Sequence, residues 1–102
     1  MSQLHTVNKS PLERNTLASA IAHAVKGNAL LMIEDGVYGA MKGTHTSDKV
    51  IEAMGDISFY VMGPDLKARG IDEARIIEGI KIVDYSGFVA LVAKYDVTQS
   101  WL

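Results

Sequence analysis

The residues best placed to do chemistry form the stretch Glu34-Asp35-Gly36-Val37-Tyr38, which directly follows an apolar run. Ligands of open α/β sheets bind at the carboxyl ends of strands, so two carboxylates and a tyrosine there could shape a pocket or contact a partner. The same residue types also suit an ordinary strand-to-helix turn, in which Asp35 would be a helix N-cap. Both interpretations of Asp35 and Tyr38, a site and a turn, stay open.

Nucleotide-binding and metal-binding signatures are absent from the sequence. The stretch Gly36-Val37-Tyr38-Gly39 fits neither the dinucleotide nor the Walker glycine pattern. The three histidines, His5, His23 and His45, form no His-x-x-x-His pair, and no cysteine is available to complete a zinc site. We therefore expect no metal ion and no cofactor.

The histidines and serines also give little reason to expect catalysis. We expect His23 and His45 to be exposed, and His5 to be buried and hydrogen-bonded within the first strand. No G-x-S-x-G elbow is present, and Ser10 is better explained as a helix cap. An enzyme with His5 or Asp35 as a general base is the least supported alternative.

The chain contains no cysteine. A thiolate is the nucleophile in disulfide exchange and in related sulfur chemistry, so this chain cannot carry sulfur on a thiol of its own. It is accordingly not expected to be an enzyme by itself.

The elements that must position these residues alternate along the chain. Helical patterns separate four apolar segments, which predicts βαβ units and a mainly parallel sheet with helices on both faces. The segments are Leu4–Val7, Ala29–Ile33, Ile57–Met62 and Ile80–Val83. The second lacks alternation and is predicted to be central, whereas Ile80-Lys81-Ile82 alternates and is predicted near an edge. Val97–Leu102 would be a last short strand or pack against the sheet.

Capping and turn residues predict the helices. Ser10-Pro11-Leu12-Glu13 has the pattern of a capping box that starts the first helix, with Ala20 on a partly covered flank. Ser47 is expected to cap a helix over Asp48–Met54. Pro64–Gly70 is predicted to be a brief helical turn ended by glycine, and a final helix is predicted near Gly87–Tyr95.

Length, charge and hydropathy limit the class of protein. The 102 residues fit one domain, 1–102, and the net charge of −2 gives no reason to expect direct nucleic-acid binding. No apolar stretch approaches the roughly 20 residues of a membrane span, and the first residues lack the features of a signal peptide. We therefore expect a cytoplasmic protein that does not enter a membrane.

The only tryptophan, Trp101, lies at the end of the sequence. Burial of a tryptophan removes about 150–250 Å² from water, a large contribution for a small domain. We therefore expect Trp101 to be docked, against either its own sheet or a partner subunit.

Several stretches together resemble the DsrH/TusB family, with the DsrH branch of sulfur oxidisers more similar. The matching stretches span the whole chain and are Leu4-His5-Thr6-Val7-Asn8-Lys9-Ser10-Pro11, Glu34-Asp35-Gly36-Val37-Tyr38, Gly63-Pro64-Asp65-Leu66-Lys67-Ala68-Arg69-Gly70, Val83-Asp84-Tyr85-Ser86-Gly87-Phe88-Val89 and Gln99-Ser100-Trp101-Leu102.

The resemblance implies a three-layer α/β/α fold with a mainly parallel sheet of four or five strands. It also implies a dimer of heterotrimers with DsrE/TusD-like and DsrF/TusC-like subunits. In that family the DsrE/TusD-like subunit holds sulfur as a persulfide and passes it to a DsrC/TusE-like carrier. One branch serves 2-thiolation of the tRNA wobble uridine, and the other serves sulfur oxidation. DsrH-branch members can carry a cysteine that would align with Ala20, where this chain has no nucleophile.

The leading hypothesis is therefore a non-catalytic subunit of a sulfur-relay complex. Asp35, Tyr38 and Trp101 are its candidate partner-interface residues. The alternative is a stand-alone small-molecule-binding α/β domain that uses the carboxyl edge of the sheet near Asp35 and Tyr38.

Overall fold

The computed structural model describes residues 2–102, which form a five-stranded parallel sheet flanked by helices. The strands are β1 (Gln3–Val7), β2 (Ala29–Met32), β3 (Ser58–Met62), β4 (Lys81–Val83) and β5 (Val97–Trp101). The α-helices are α1 (Thr16–His23), α2 (Ser47–Ala53), α3 (Gly63–Ala68) and α4 (Tyr85–Lys94). Two 3-10 helices span Glu34–Ala40 and Glu73–Arg75. Among these residues no helix has the length and apolarity needed to cross a membrane.

The sheet has the order β4-β3-β2-β1-β5, and every neighbouring pair is parallel. The order confirms that β2 is central and that β4 is an edge strand. All four residues of β2 are buried, as expected for a strand covered on both faces. The last segment is a fifth strand, in which Trp101 pairs with Val7 of β1.

Two hydrophobic cores lie on opposite faces of the sheet, which confirms the three-layer α/β/α architecture. The larger core joins β-strand side chains to α1, α2, α3 and the first 3-10 helix through residues such as Leu17, Val50 and Leu66. The smaller core is formed with α4 alone among the helices and includes Leu31, Met62 and Leu91. The two faces are therefore covered unequally.

The predicted start of the first helix is wrong. The Ser10 carbonyl accepts hydrogen bonds from the amides of Glu13 (3.0 Å) and Arg14 (3.1 Å), and the Ser10 hydroxyl accepts one from the Leu12 amide (3.2 Å). This is a single turn. Asn15, at φ −89° and ψ 14°, departs from helical geometry and separates the turn from α1, which begins at Thr16.

Ala20 is fully buried rather than partly covered on a flank. Helix α1 ends at His23, and Val25 lies beyond it with 60% of its surface exposed. Without Val25, the buried side of α1 is centred on Leu17 and Ala20. A side chain at residue 20 therefore faces the core.

The remaining helix predictions are confirmed with small shifts. Ser47 is the first residue of α2 rather than its cap, and its hydroxyl donates to the Met41 carbonyl (3.0 Å) and accepts from the Thr44 amide (2.9 Å). The helix α3 is followed by Gly70 at φ +65°. Helix α4 starts two residues earlier than predicted, because Asp84 caps it by accepting from the Gly87 amide (2.8 Å).

Candidate functional site

The turns that follow β2 and β3 meet at the carboxyl edge of the sheet. These strands are neighbours, so Glu34 after β2 and Asp65 in α3 come together. The Glu34 amide donates a hydrogen bond of 2.8 Å to Oδ2 of Asp65. Glu34 has φ +50°, a left-handed conformation that non-glycine residues rarely adopt. The Asp65 carboxylate thus helps to hold the polypeptide in a strained turn.

Asp35 forms an ion pair with Arg69. The Nε and Nη2 atoms of Arg69 both lie 3.0 Å from Oδ1 of Asp35, and Nη1 donates to the Asp65 carbonyl at 3.2 Å. The interpretation of Asp35 as a helix N-cap is wrong, because Ile33 occupies that position and Asp35 lies inside the first turn. The side chain of Asp35 nevertheless remains 55% exposed, so it is accessible to a partner.

Tyr38 lies on the same 3-10 helix and packs, partly buried, against the larger core. Two glycines let this helix pack closely, Gly36 against the end of β1 and Gly39 against Leu17 of α1. A Cβ atom at Gly36 would lie 2.1 Å from the Val7 carbonyl oxygen, and one at Gly39 would lie 2.6 Å from a Leu17 methyl. These glycines therefore serve packing, and they place Asp35 and Tyr38 at the edge of the sheet.

A small cavity of about 240 Å³ opens beside this edge. Its lining consists of Ile33, Glu34, Met62, Asp65, Tyr85 and Phe88. It joins residues that follow β2 and β3 to the first turns of α4. Two carboxylates and two aromatic rings therefore share one concave surface.

Trp101 is docked on its own sheet, which confirms that it is not a free terminal residue. Its indole Nε1 donates to Nδ1 of His5 at 3.0 Å, and the other ring nitrogen, Nε2, lies 3.0 Å from Oδ1 of Asn28. Because an indole N–H can only donate, Nδ1 of His5 is the acceptor and Nε2 carries the proton. The Asn28 oxygen also accepts from the Val25 amide at 3.2 Å.

The His5 cluster offers no free base. His5 is fully buried, as predicted, and both of its nitrogens are engaged. His23 is exposed and lies edge-on to Trp101, with 5.5 Å between ring centroids. No group of three or more His, Asp or Glu side chains within residues 2–102 is placed to hold a metal ion.

The three candidate interface residues occupy two separate places. Asp35 and Tyr38 share the 3-10 helix after β2, whereas Trp101 belongs to the edge strand β5. Within the described chain no hydrogen bond joins any two of them.

Sequence reasoning missed Arg69, Asp65 and Tyr85. The first two lie in and after α3, and strand order would have brought them to Asp35, because consecutive parallel strands end at the same edge. Taken alone, Arg69 would complement the negative end of its own helix. Nothing in the sequence pointed to Tyr85 as a site residue, because its distance from Glu34 depends on how α4 crosses the sheet.

Directly after α4, burial raises the pKa of the Tyr95 phenol above its ordinary value of 10.0, and the neighbouring Tyr60 raises it further. The ammonium group of Lys94 lies 5.6 Å from the centre of the Tyr95 ring.

Fold and site together define a three-layer α/β/α protein with an all-parallel sheet and a carboxyl edge rich in side chains suited to contact. The family model described as "DsrH like protein" matches residues 9–98. The chain belongs to the DsrH family, which confirms the resemblance carried by the sequence stretches. It is 30% identical to Protein TusB of Pectobacterium parmentieri and 33% identical to Protein TusB of Escherichia coli O81, over 96% of this chain and 99% of each relative.

Solved structures share the fold at low sequence identity. A protein of unknown function, MTH1491 from Methanobacterium thermoautotrophicum, superposes with a TM-score of 0.77 over 96% of this chain and 97% of its own, at 16% identity. The ychN protein of E. coli gives a TM-score of 0.76 over 98% and 99%, also at 16% identity. At such identity these two structures support the α/β fold alone.

Proposed function

We propose that this chain is a non-catalytic subunit of a cytoplasmic sulfur-relay complex. The observation that carries the proposal is a full-length likeness to proteins named TusB in a chain without cysteine. The chain, acting as the single domain 1–102, would supply binding surface while a partner supplies the thiolate.

The proposed partners are a DsrE/TusD-like and a DsrF/TusC-like subunit, assembled as a dimer of heterotrimers. The DsrE/TusD-like subunit would hold the persulfide and deliver sulfur to a DsrC/TusE-like carrier. The complex would serve either sulfur oxidation or 2-thiolation of the tRNA wobble uridine. The engagement of both His5 nitrogens supports a role without proton transfer.

We assign Asp35, Tyr38 and Trp101 to partner contacts in this complex. The exposure of the Asp35 carboxylate supports its part in the assignment. The partial exposure of Trp101 supports a contact at β5, because a partly covered indole can gain further burial from a partner.

Co-expression of the chain with the two related subunits tests the proposal. Size-exclusion chromatography should show one complex that contains all three chains. Asp35→Ala or Tyr38→Ala should reduce the yield of this complex strongly and lower the melting temperature of the monomer only slightly. Asp48→Ala is the matched control, since Asp48 is an exposed aspartate in the first turn of α2. A wild-type chain that elutes alone in the presence of both subunits would overturn the proposal.

The alternative, a stand-alone small-molecule-binding domain, would use the cavity at the carboxyl edge. Its volume of about 240 Å³ is small beside the 300–1,000 Å³ of ordinary ligand pockets. Stabilisation of the isolated chain by a metabolite, together with failure to bind either subunit, would favour this function.

A further inference from the structure

The outer side of α4 is an apolar stripe with nothing packed on it in residues 2–102. Tyr85, Val89 and Val92 follow a spacing of four and three residues, so they share one side of the helix. They are 66%, 64% and 40% exposed. Leu91, by contrast, is buried against the sheet. The apolar surface of α4 is therefore wider than the part that its own sheet covers.

The stripe continues into the cavity at the carboxyl edge. Tyr85 belongs to both, and the cavity adds the apolar side chains of Ile33, Met62 and Phe88. The result is one surface in which an apolar ridge ends in a small hollow. Such a shape suits a protein partner with an apolar patch and one protruding side chain.

The charged residues around the hollow indicate which kind of partner side chain would protrude into it. Glu34 and Asp65 line the hollow, and neither carboxylate has a lysine or arginine within ion-pair distance in the described residues. The neighbouring Asp35 is already neutralised by Arg69. Carboxylates beside aromatic rings attract ammonium and guanidinium groups, by charge and by the negative faces of the rings.

Resting on the proposed function, we propose that the stripe and hollow form a docking surface for another subunit of the complex, which inserts a lysine or arginine side chain between Glu34, Asp65 and Tyr85. The basic residue of α4 itself, Lys94, lies on the far side of the helix from the stripe, over the Tyr95 ring. The helix therefore supplies no cation to a second copy of this chain. The two carboxylates also disfavour an anionic membrane surface.

The apolar part of the proposal is tested with a matched pair of variants. Val89→Asp introduces a charge on the stripe, and Ile51→Asp introduces the same charge at an aliphatic residue of α2 that is 52% exposed. Measured by titration of the purified partner subunits, Val89→Asp should weaken binding by about tenfold or more, and Ile51→Asp by less than about twofold. Circular dichroism melts should show both variants folded, because both side chains are exposed.

The charge part uses Glu34→Lys and Glu34→Gln, with Glu52→Lys on α2 as the control for net charge. Glu34→Lys should weaken binding by about tenfold and Glu34→Gln by a few-fold, and the difference should shrink at high salt. Glu52→Lys should leave the affinity unchanged.

The outcomes separate this surface from the proposed function. A wild-type chain that binds neither subunit overturns the proposed function. A wild-type chain that binds, while Val89→Asp and Glu34→Lys bind equally well, overturns the docking surface alone. Equal losses from Ile51→Asp or Glu52→Lys would also overturn it. Self-association of the isolated chain that Val89→Asp abolishes would make the occupant a second copy, contrary to the proposal.

Discussion

His5 joins three parts of the molecule through its two ring nitrogens. Trp101 of β5 donates to one, and Asn28, which precedes β2, accepts from the other. The Asn28 oxygen also receives the amide of Val25, just beyond α1. A buried acceptor that loses its donor cannot accept a hydrogen bond from water instead. Each hydrogen bond of this cluster therefore depends on the others.

Trp101→Phe should destabilise the protein by about 1–3 kcal/mol, because it leaves Nδ1 of the buried His5 without its donor while keeping an aromatic ring. Urea unfolding followed by circular dichroism measures the cost, since the variant has no tryptophan. His23→Ala is the comparison: it removes an exposed ring that contacts Trp101 without a hydrogen bond. It should cost less than about 1 kcal/mol. If the two variants cost the same, the hydrogen bond is not what holds β5.

Residue chemistry was predictable where a side chain is explained by its own strand. The burial of His5 follows from its strand position, and the docking of Trp101 follows from the large apolar area of its ring. The partner of Asp35 did not follow, because Arg69 is 34 residues away and only the strand order brings the two together. Local rules favoured an N-cap at Asp35, and a contact between two turns replaced it.

At the scale of elements, the first 3-10 helix lies unusually close to the end of β1. Gly36→Ala would place a methyl group 2.1 Å from the Val7 carbonyl oxygen, a backbone atom that cannot rotate away. We expect a loss of about 1–3 kcal/mol or more in the free energy of unfolding. Gly55→Ala is the matched control, because nothing lies within 4 Å of the added atom. Thermal unfolding of the two variants compares them directly, and a melting temperature unchanged by Gly36→Ala would contradict this packing.

The packing of Tyr95, at the end of α4, against the smaller core predicts that the stability of the protein depends on pH in the alkaline range. Burial raises the pKa of Tyr95 above 10.0, so the folded state favours the neutral phenol relative to the unfolded chain. The stabilisation is therefore complete below pH 10 and is lost as the pH rises through the raised pKa. Urea unfolding of wild type and Tyr95→Phe between about pH 8 and 11 should show a stability difference that shifts against wild type only at the alkaline end. A difference constant across that range would show that the phenol titrates alike in both states.

The sequence predicted the strands more accurately than the starts of the helices. The strands were predicted closely because burial on both faces leaves β2 without polar residues, and because β4 alternates at the edge. The start of α1 was predicted incorrectly, because Ser10-Pro11 begins a turn that Asn15 interrupts before the helix can continue. Capping residues mark where a turn can start, and tertiary packing decides whether a helix follows it.

At the scale of the whole molecule, the two faces of the sheet have different roles. One carries three helices and the larger core, and the other carries α4 and an uncovered apolar stripe. A face left partly uncovered, in a chain without a thiol, supports the proposed role of a subunit that acts by contact. The sequence predicted a helix near Gly87–Tyr95, but not how much of the surface of α4 the sheet leaves exposed.

The whole molecule should also be inert toward sulfur. Wild-type chain incubated with inorganic polysulfide should show no added sulfur by intact mass, because it contains no cysteine to accept it. Ser19→Cys places a thiol on the exposed side of α1 and should gain the mass of one sulfur atom, which shows that the assay detects acceptance. Ala20→Cys, one residue along, places a thiol at a fully buried position. It should react much more slowly than Ser19→Cys in the folded protein and equally fast in urea, because access then no longer differs. A stable sulfur adduct on the wild-type chain would contradict a role confined to contact, and equal native rates for the two cysteine variants would contradict the burial of residue 20.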